Sequence, residues 1–327
     1  MRAHRVRLRA TLSAVPELPE VTALAEALSA RATGLQVARI EVAAISALKT
    51  FDPPVGAVAG CEVLGCSRRG KHLVLELVDP QGEPLYVVIH LSRAGWARWR
   101  DDPPAAPAPF GRRGGGRAAG PALALRVVFG AGQAGGPLGE PPGTPLAALD
   151  VTEAGTQKRL AVHVVRDPAD VPAVARLGPD PLEDLTPELF DEILTDAGRA
   201  QLKGVLRDQS RIAGIGNAYS DEILHAARIS PFAPAGTLPP QARARLYEAL
   251  RTTLAEAVAV AVASDPATLK AEKKAGMAVH GRTGQPCPVC GDVVREVSFA
   301  DSSLQYCPTC QTGGKPLADR RMSRLLK

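Results

Sequence analysis

Two Cys-x-x-Cys units near the end of this 327-residue chain restrict its fold more tightly than any other feature. Cys287-Pro-Val-Cys290 and Cys307-Pro-Thr-Cys310 are separated by sixteen residues. That spacing suits a closed tetrahedral shell of four thiolates around one structural Zn2+ ion. Sulfur fills every position and leaves none for water, so the ion is expected to fold a short hairpin and not to perform chemistry. Cys61 and Cys66 stand apart, which fits a reducing compartment and a metal better than a disulfide framework.

At the other end lies Val15-Pro16-Glu17-Leu18-Pro19-Glu20-Val21. The plainer reading is a helix start: proline favours the first turn, and Val21, Leu24 and Leu28 follow on one apolar face. A proline that begins a chain, however, carries a free secondary amine, and amines that form Schiff bases are covalent catalysts. A carboxylate one residue later can shuttle protons at the same carbon. Residues 1–15 hold Arg2, Arg5, Arg7 and Arg9, no acidic residue and no secretory apolar run. In a chain rich in Ala, Gly, Pro and Arg, they read as upstream DNA translated in error or as a removed leader. Val15 would then be a GTG start, removed to leave Pro16 first. Four of the +5 formal charges fall in that leader, so net charge says little about nucleic acid. No apolar run reaches the length of a membrane span, and a soluble cytoplasmic monomer is expected.

Residues 36–100 read as short strands, Val37 to Val42, Val58 to Leu64, Leu73 to Leu77, Leu85 to Ile89 and Trp96 to Trp99, in a sandwich or barrel. Ser67-Arg68-Arg69-Gly70-Lys71-His72 puts basic residues around a turn glycine, either a phosphate contact or a solvated hairpin tip. The Gly, Pro and Arg-rich stretches 101–121 and 130–146 flank a strand at 122–129 and are expected to be mobile. Lys158 and Arg159 are candidate phosphate contacts or a solvent-facing strand end. Leu177-Gly-Pro-Asp-Pro181 marks a domain boundary. A helical block follows: Thr186-Pro187 as cap and first turn, an apolar run at Leu202, Val205 and Leu206, and a long helix through Leu246, Leu250, Leu254 and Val258. Within it, Gly214-Ile-Gly216-Asn217 opens a helix whose free N–H groups form a ready phosphate site.

The order Pro-Glu-Leu-Pro-Glu-Val, Arg-Arg-Gly-Lys71, Asp208 to Glu222 and the four cysteines resembles the formamidopyrimidine-DNA glycosylase and endonuclease VIII family, on its formamidopyrimidine branch. The resemblance covers nearly all of the chain from Pro16. It implies an α+β multidomain fold: a leader 1–15, an N-terminal β-sandwich with a leading helix (16–176), a helix-two-turns-helix domain (182–275), and a zinc finger with a basic tail (280–327). It also implies a bifunctional DNA glycosylase and abasic-site lyase of base excision repair, acting on double-stranded DNA with damaged bases or abasic sites at the bacterial nucleoid. Pro16 would be the nucleophile at C1′, Glu17 the acid/base, and Lys71 the lysine that assists base loss and elimination. Asn217, Arg199, Lys158 and Arg159 would contact DNA, and Cys287, Cys290, Cys307 and Cys310 would hold zinc.

Two positions depart from the family pattern. Arg93 stands where a methionine usually fills the void left by the flipped base, and a guanidinium there would stack on or pair with the orphaned base. Ser302 replaces an arginine of the finger linked to δ-elimination, which leaves β- against β,δ-elimination open. Were residues 1–15 retained, Pro16 would be an amide, and the chain would read as a zinc-containing damaged-DNA-binding protein without chemistry.

Overall fold

Pro19 and the apolar spacing behind it produce helix α1 (Leu18–Ala32), in which Val21, Leu24 and Leu28 are buried. Burial of such side chains is worth roughly 1.5–3 kcal/mol each, far more than helix propensity, so this face fixes where α1 lies. The structure is a computed structural model that describes residues 15–104, 121–133, 135–136, 139–154, 158–299 and 303–318. Residues 1–14, most of the 101–121 stretch, Ser302 and the basic residues beyond Ala318 lie outside those residues.

Eight antiparallel strands follow: β1 (Gln36–Val42), β2 (Glu62–Arg69), β3 (His72–Val78), β4 (Pro84–His90), β5 (Gly95–Arg100), β6 (Ala122–Gly130), β7 (Pro145–Glu153) and β8 (Ala161–Val165), in the order β5-β7-β6-β1-β2-β3-β4-β8. The strand expected from Val58 begins later, at Glu62. Val55–Val58 is a helical turn, and Gly60 at φ +84° breaks any ladder there. The register of β1 with β2 is confined to Gln36 opposite Glu62, so the sheet folds at that joint into two layers. Val37, Leu125, Phe129 and Leu149 from one layer meet Val63, Leu75, Val87 and Val162 from the other in one core, with α1 packed into it. The end strands β5 and β8 do not pair with each other, which makes this a sandwich and not a closed barrel.

A short helix, α2 (Pro172–Ala175), and the Leu177–Pro181 linker lead to α3 (Pro187–Ala197), α4 (Leu202–Arg207), α5 (Asn217–Ala226), α6 (Pro240–Ala263) and α7 (Leu269–Gly276). Thr186 caps α3 by accepting the Leu189 N–H, with Pro187 in the first turn. Phe190, Leu194, Leu206, Ile223, Leu246, Leu250 and Leu254 form a second core. Ala261 of α6 and Leu269 of α7 belong instead to the first core, so these two helices join the halves. Then come β9 (Arg295–Ser298) and β10 (Ser303–Tyr306), a hairpin, and α8 (Pro308–Thr312). Val297, Leu304 and Tyr306 of that hairpin pack with Phe232 and Leu317.

Candidate active site and metal centre

Glu17 is 1% exposed, and its carboxylate is held by the start of α5. It accepts N–H bonds from Gly216 (2.6 Å), Ala218 (2.9 Å) and Tyr219 (3.3 Å). The turn that the sequence marks as a phosphate site therefore carries an anion from its own chain, placed where the helix dipole favours negative charge. Gly216 is what allows the approach: a Cβ there would lie 2.3 Å from Glu17 Cδ. Gly214, at φ +84°, accepts the Leu18 N–H at 3.0 Å through its carbonyl. Pro16, itself buried, is thus held close to the head of α5.

A lysine that the sequence reading does not single out completes this arrangement. Lys273 of α7 donates to Glu20 Oε2 (2.7 Å) and to the Val15 carbonyl (3.0 Å), lies 3.9 Å from Glu17 Oε1, and sits over the Tyr219 ring at 4.7 Å. Glu20 also accepts the Glu17 N–H and the Tyr219 hydroxyl, each at 2.8 Å. Burial alone would raise the Glu17 pKa. Lys273, Lys71 and the amides of Ala218 and Tyr219 outweigh it and hold the group below the ordinary carboxylate value, so Glu17 is an anion at neutral pH.

Lys71 follows the β2–β3 turn, which is not a solvated tip. Arg68 donates to Thr22 Oγ1 (2.9 Å) and to the Gly70 carbonyl, and pairs with Asp180 of the linker at 2.7 Å. Gly70, at φ +54°, lies against Leu177 and Ala213. The turn is therefore clamped between α1, the linker and the approach to α5. Burial drives the Lys71 pKa down to about 8, with Glu17 opposing and Arg207 and Lys273 adding to the shift. Behind it, the His72 and His90 rings lie tilted at 34° with centroids 4.7 Å apart. Burial brings them to about 4 and about 3, so this wall of the site is neutral at physiological pH.

The remaining candidates are spread more widely. Asn217 begins α5; its Nδ2 donates to the Ser303 carbonyl at 2.8 Å, while its buried Oδ1 has no partner among the described residues. Arg93 is exposed on the turn between β4 and β5, beside Ser92 at φ 56°. Lys158 donates to the Glu153 carbonyl and the Arg159 N–H to the Glu153 carboxylate, both at 2.6 Å, so among the described residues their bonds run to the end of β7 and not to the Glu17 cluster. Arg199 is exposed just after α3 and makes no hydrogen bond or ion pair among the described residues.

The four cysteine sulfurs converge, all within 4.8 Å of one another. Cys287 and Cys310 are 3.9 Å apart and Cys290 and Cys307 3.4 Å. Thiolates about 2.3 Å from a tetrahedral ion lie about 3.8 Å from each other, so this donor set fits a single metal ion. Cys287 and Cys307 are buried and Cys290 faces out. The centre rests on α5: Glu222 accepts the N–H groups of Ala278, Val279 and His280 (2.7, 3.0 and 2.7 Å), and Asp221 takes His280 Nδ1 and the Gln305 N–H.

Three family models match in succession: the formamidopyrimidine-DNA glycosylase N-terminal domain over residues 15–114, the formamidopyrimidine-DNA glycosylase H2TH domain over 177–266, and the zinc finger found in FPG and IleRS over 284–313. The formamidopyrimidine-DNA glycosylase of Pelotomaculum thermopropionicum is 31% identical over 315 residues, covering 91% of this chain and 99% of the relative. That of Symbiobacterium thermophilum is 32% identical over 320 residues, 94% of this chain and 93% of the relative. An uncharacterized formamidopyrimidine-DNA glycosylase-like protein of Mycobacterium tuberculosis is 59% identical over 159 residues, 49% of this chain and 99% of its own length. Among solved structures, MutM (Fpg) from Thermus thermophilus superposes with a TM-score of 0.70 at 29% identity, covering 92% of this chain and all of that one.

Proposed function

The chain belongs to the formamidopyrimidine-DNA glycosylase family, and we propose that it excises damaged bases from double-stranded DNA and then cuts the abasic site through Pro16. The observation that carries this reading is the Pro16-Glu17 peptide lodged between α5, α7 and Lys71. In the mature form, Pro16 would start the chain with a secondary amine. Glu17, an anion in this setting, would take the ammonium proton and return it to the ring oxygen of the sugar as the sugar opens. The Pro16 nitrogen would bond to C1′ as the C1′–base bond breaks, the base leaving with that electron pair and the second proton of the Pro16 nitrogen; breakage of the C1′–ring oxygen bond then leaves an iminium between Pro16 and C1′. The iminium acidifies C2′; loss of a C2′ proton expels the 3′ phosphate with its C–O electrons. Lys71, near pKa 8, exists partly as the free amine at neutral pH, which suits it to assist those proton transfers.

The extruded base would leave an orphan opposite it, for Arg93 to stack on or pair with. Asn217 would exchange the Ser303 carbonyl for a phosphate oxygen, and Arg199, Lys158 and Arg159 would add backbone contacts. One structural zinc ion would occupy the four thiolates and hold the finger hairpin. In this reading the protein acts as a monomer at the cytoplasmic nucleoid.

Borohydride trapping on abasic DNA tests the reading with forms that start at Met1 and at Pro16. The Pro16 form is expected to yield a covalent adduct, and Pro16→Gly to lose most of it. Salt-sensitive DNA binding with no adduct from either form would replace the enzyme with a damaged-DNA-binding protein.

A further inference from the structure

The C-terminal turn of α5 faces the metal centre. There His225, 5% exposed, places Nε2 3.2 Å from Cys287 Sγ. A metal-bound thiolate offers only acceptor lone pairs, so in this contact the imidazole carries its proton on Nε2 and donates it. A second tie lies close by: Gln311 accepts the Cys307 N–H at 2.9 Å through Oε1 and donates to the Ile229 carbonyl at 3.0 Å, just past the end of α5. Both fully buried ligands are thus secured from the helical domain, while the exposed Cys290 is not.

Four thiolates around a divalent cation leave a net charge of about −2 in a half-buried site, and an N–H directed at sulfur offsets part of it. We infer that His225 is a positioning residue of the metal centre, donating to the Cys287 thiolate, tying the finger to the helix that carries the Glu17 cradle, and slowing loss of the ion. The identity of that ion as zinc rests on the reading above; the role of His225 does not depend on glycosylase activity.

The test uses the full-length holoprotein, its metal content fixed by mass spectrometry, and follows zinc release into excess chromogenic chelator. His225→Phe fills the same ring volume without a donor and is expected to release zinc about 10- to 100-fold faster. His225→Gln keeps an N–H at similar reach and is expected to release at nearly the wild-type rate. In Co2+-substituted protein, the sulfur-to-cobalt charge-transfer band should move to lower energy in the Phe variant and return in the Gln variant, a change that loosened packing alone does not produce. Wild-type release and an unshifted band in the Phe variant would overturn the proposal. So would a Gln variant as leaky as Phe, since restoring an N–H donor would then not restore retention of the ion.

Discussion

Lys71 and Glu17 set each other's charge, and the coupling has a sign that can be measured. With its pKa at about 8, Lys71 should react in competitive acylation with a midpoint well below that of an ordinary lysine at 10.5. Glu17 raises that value, so Glu17→Gln should move the midpoint below 8. An unchanged midpoint would mean that the two groups do not share one site. Part of this was readable in the chain: the residues themselves stand out, Pro16-Glu17 by position and Lys71 by its turn. Their partners do not, because Glu17 meets amides 199, 201 and 202 residues away, a distance over which no local pattern operates.

Helices α5 and α7 turn those residues into a site, and they differ in how well their sequences announce them. Gly-Ile-Gly-Asn marks the start of α5 correctly, and the amides there hold the Glu17 carboxylate of this same chain, a partner that the local pattern does not name. Gly216→Ala should push the Glu17 carboxylate off the amides and destabilise the fold by at least about 2 kcal/mol, since hydrogen bonds to charged groups contribute about 1.5–3 kcal/mol each. In a Glu17→Ala background the same change should cost little, and additive urea-unfolding energies would argue against the clash. The lysines of α7 resemble a solvated face, but Lys270 lies over Trp96 at 4.4 Å and Lys273 over Tyr219. Period and composition cannot show that α6 delivers α7 against α1. Because Lys273 helps depress Glu17 below its unfolded value of 4.5, that carboxylate stabilises the fold above about pH 4.5 and the benefit is lost as pH falls through the folded pKa. Lys273→Met should raise the folded pKa, shrink that benefit and shift acid unfolding, followed by circular dichroism, to higher pH.

Across the molecule, the sandwich and the helical domain each own a core of many large side chains, whereas the finger has two small clusters, one of which consists half of metal ligands. A segment that small does not stay folded without its ion. Its loss would also reach α5, because Glu222 and Asp221, 8% and 1% exposed, find hydrogen-bond donors in residues 278–280 and 305. Glu222 already has its pKa raised by burial against the pull of those amides, so without them it would protonate or turn outward. The Glu17 cradle sits at the other end of α5 and is fastened independently to α1 and α7. Stoichiometric chelation should therefore leave amide protection in β3 and β4 unchanged, abolish it across residues 278–280, 287–299 and 303–312, and lower affinity for abasic DNA at least tenfold. Hydrogen exchange read by mass spectrometry separates the cases: full protection of the 287–299 and 303–312 amides after the metal has left would mean that apolar packing, and not the four thiolates, holds the finger.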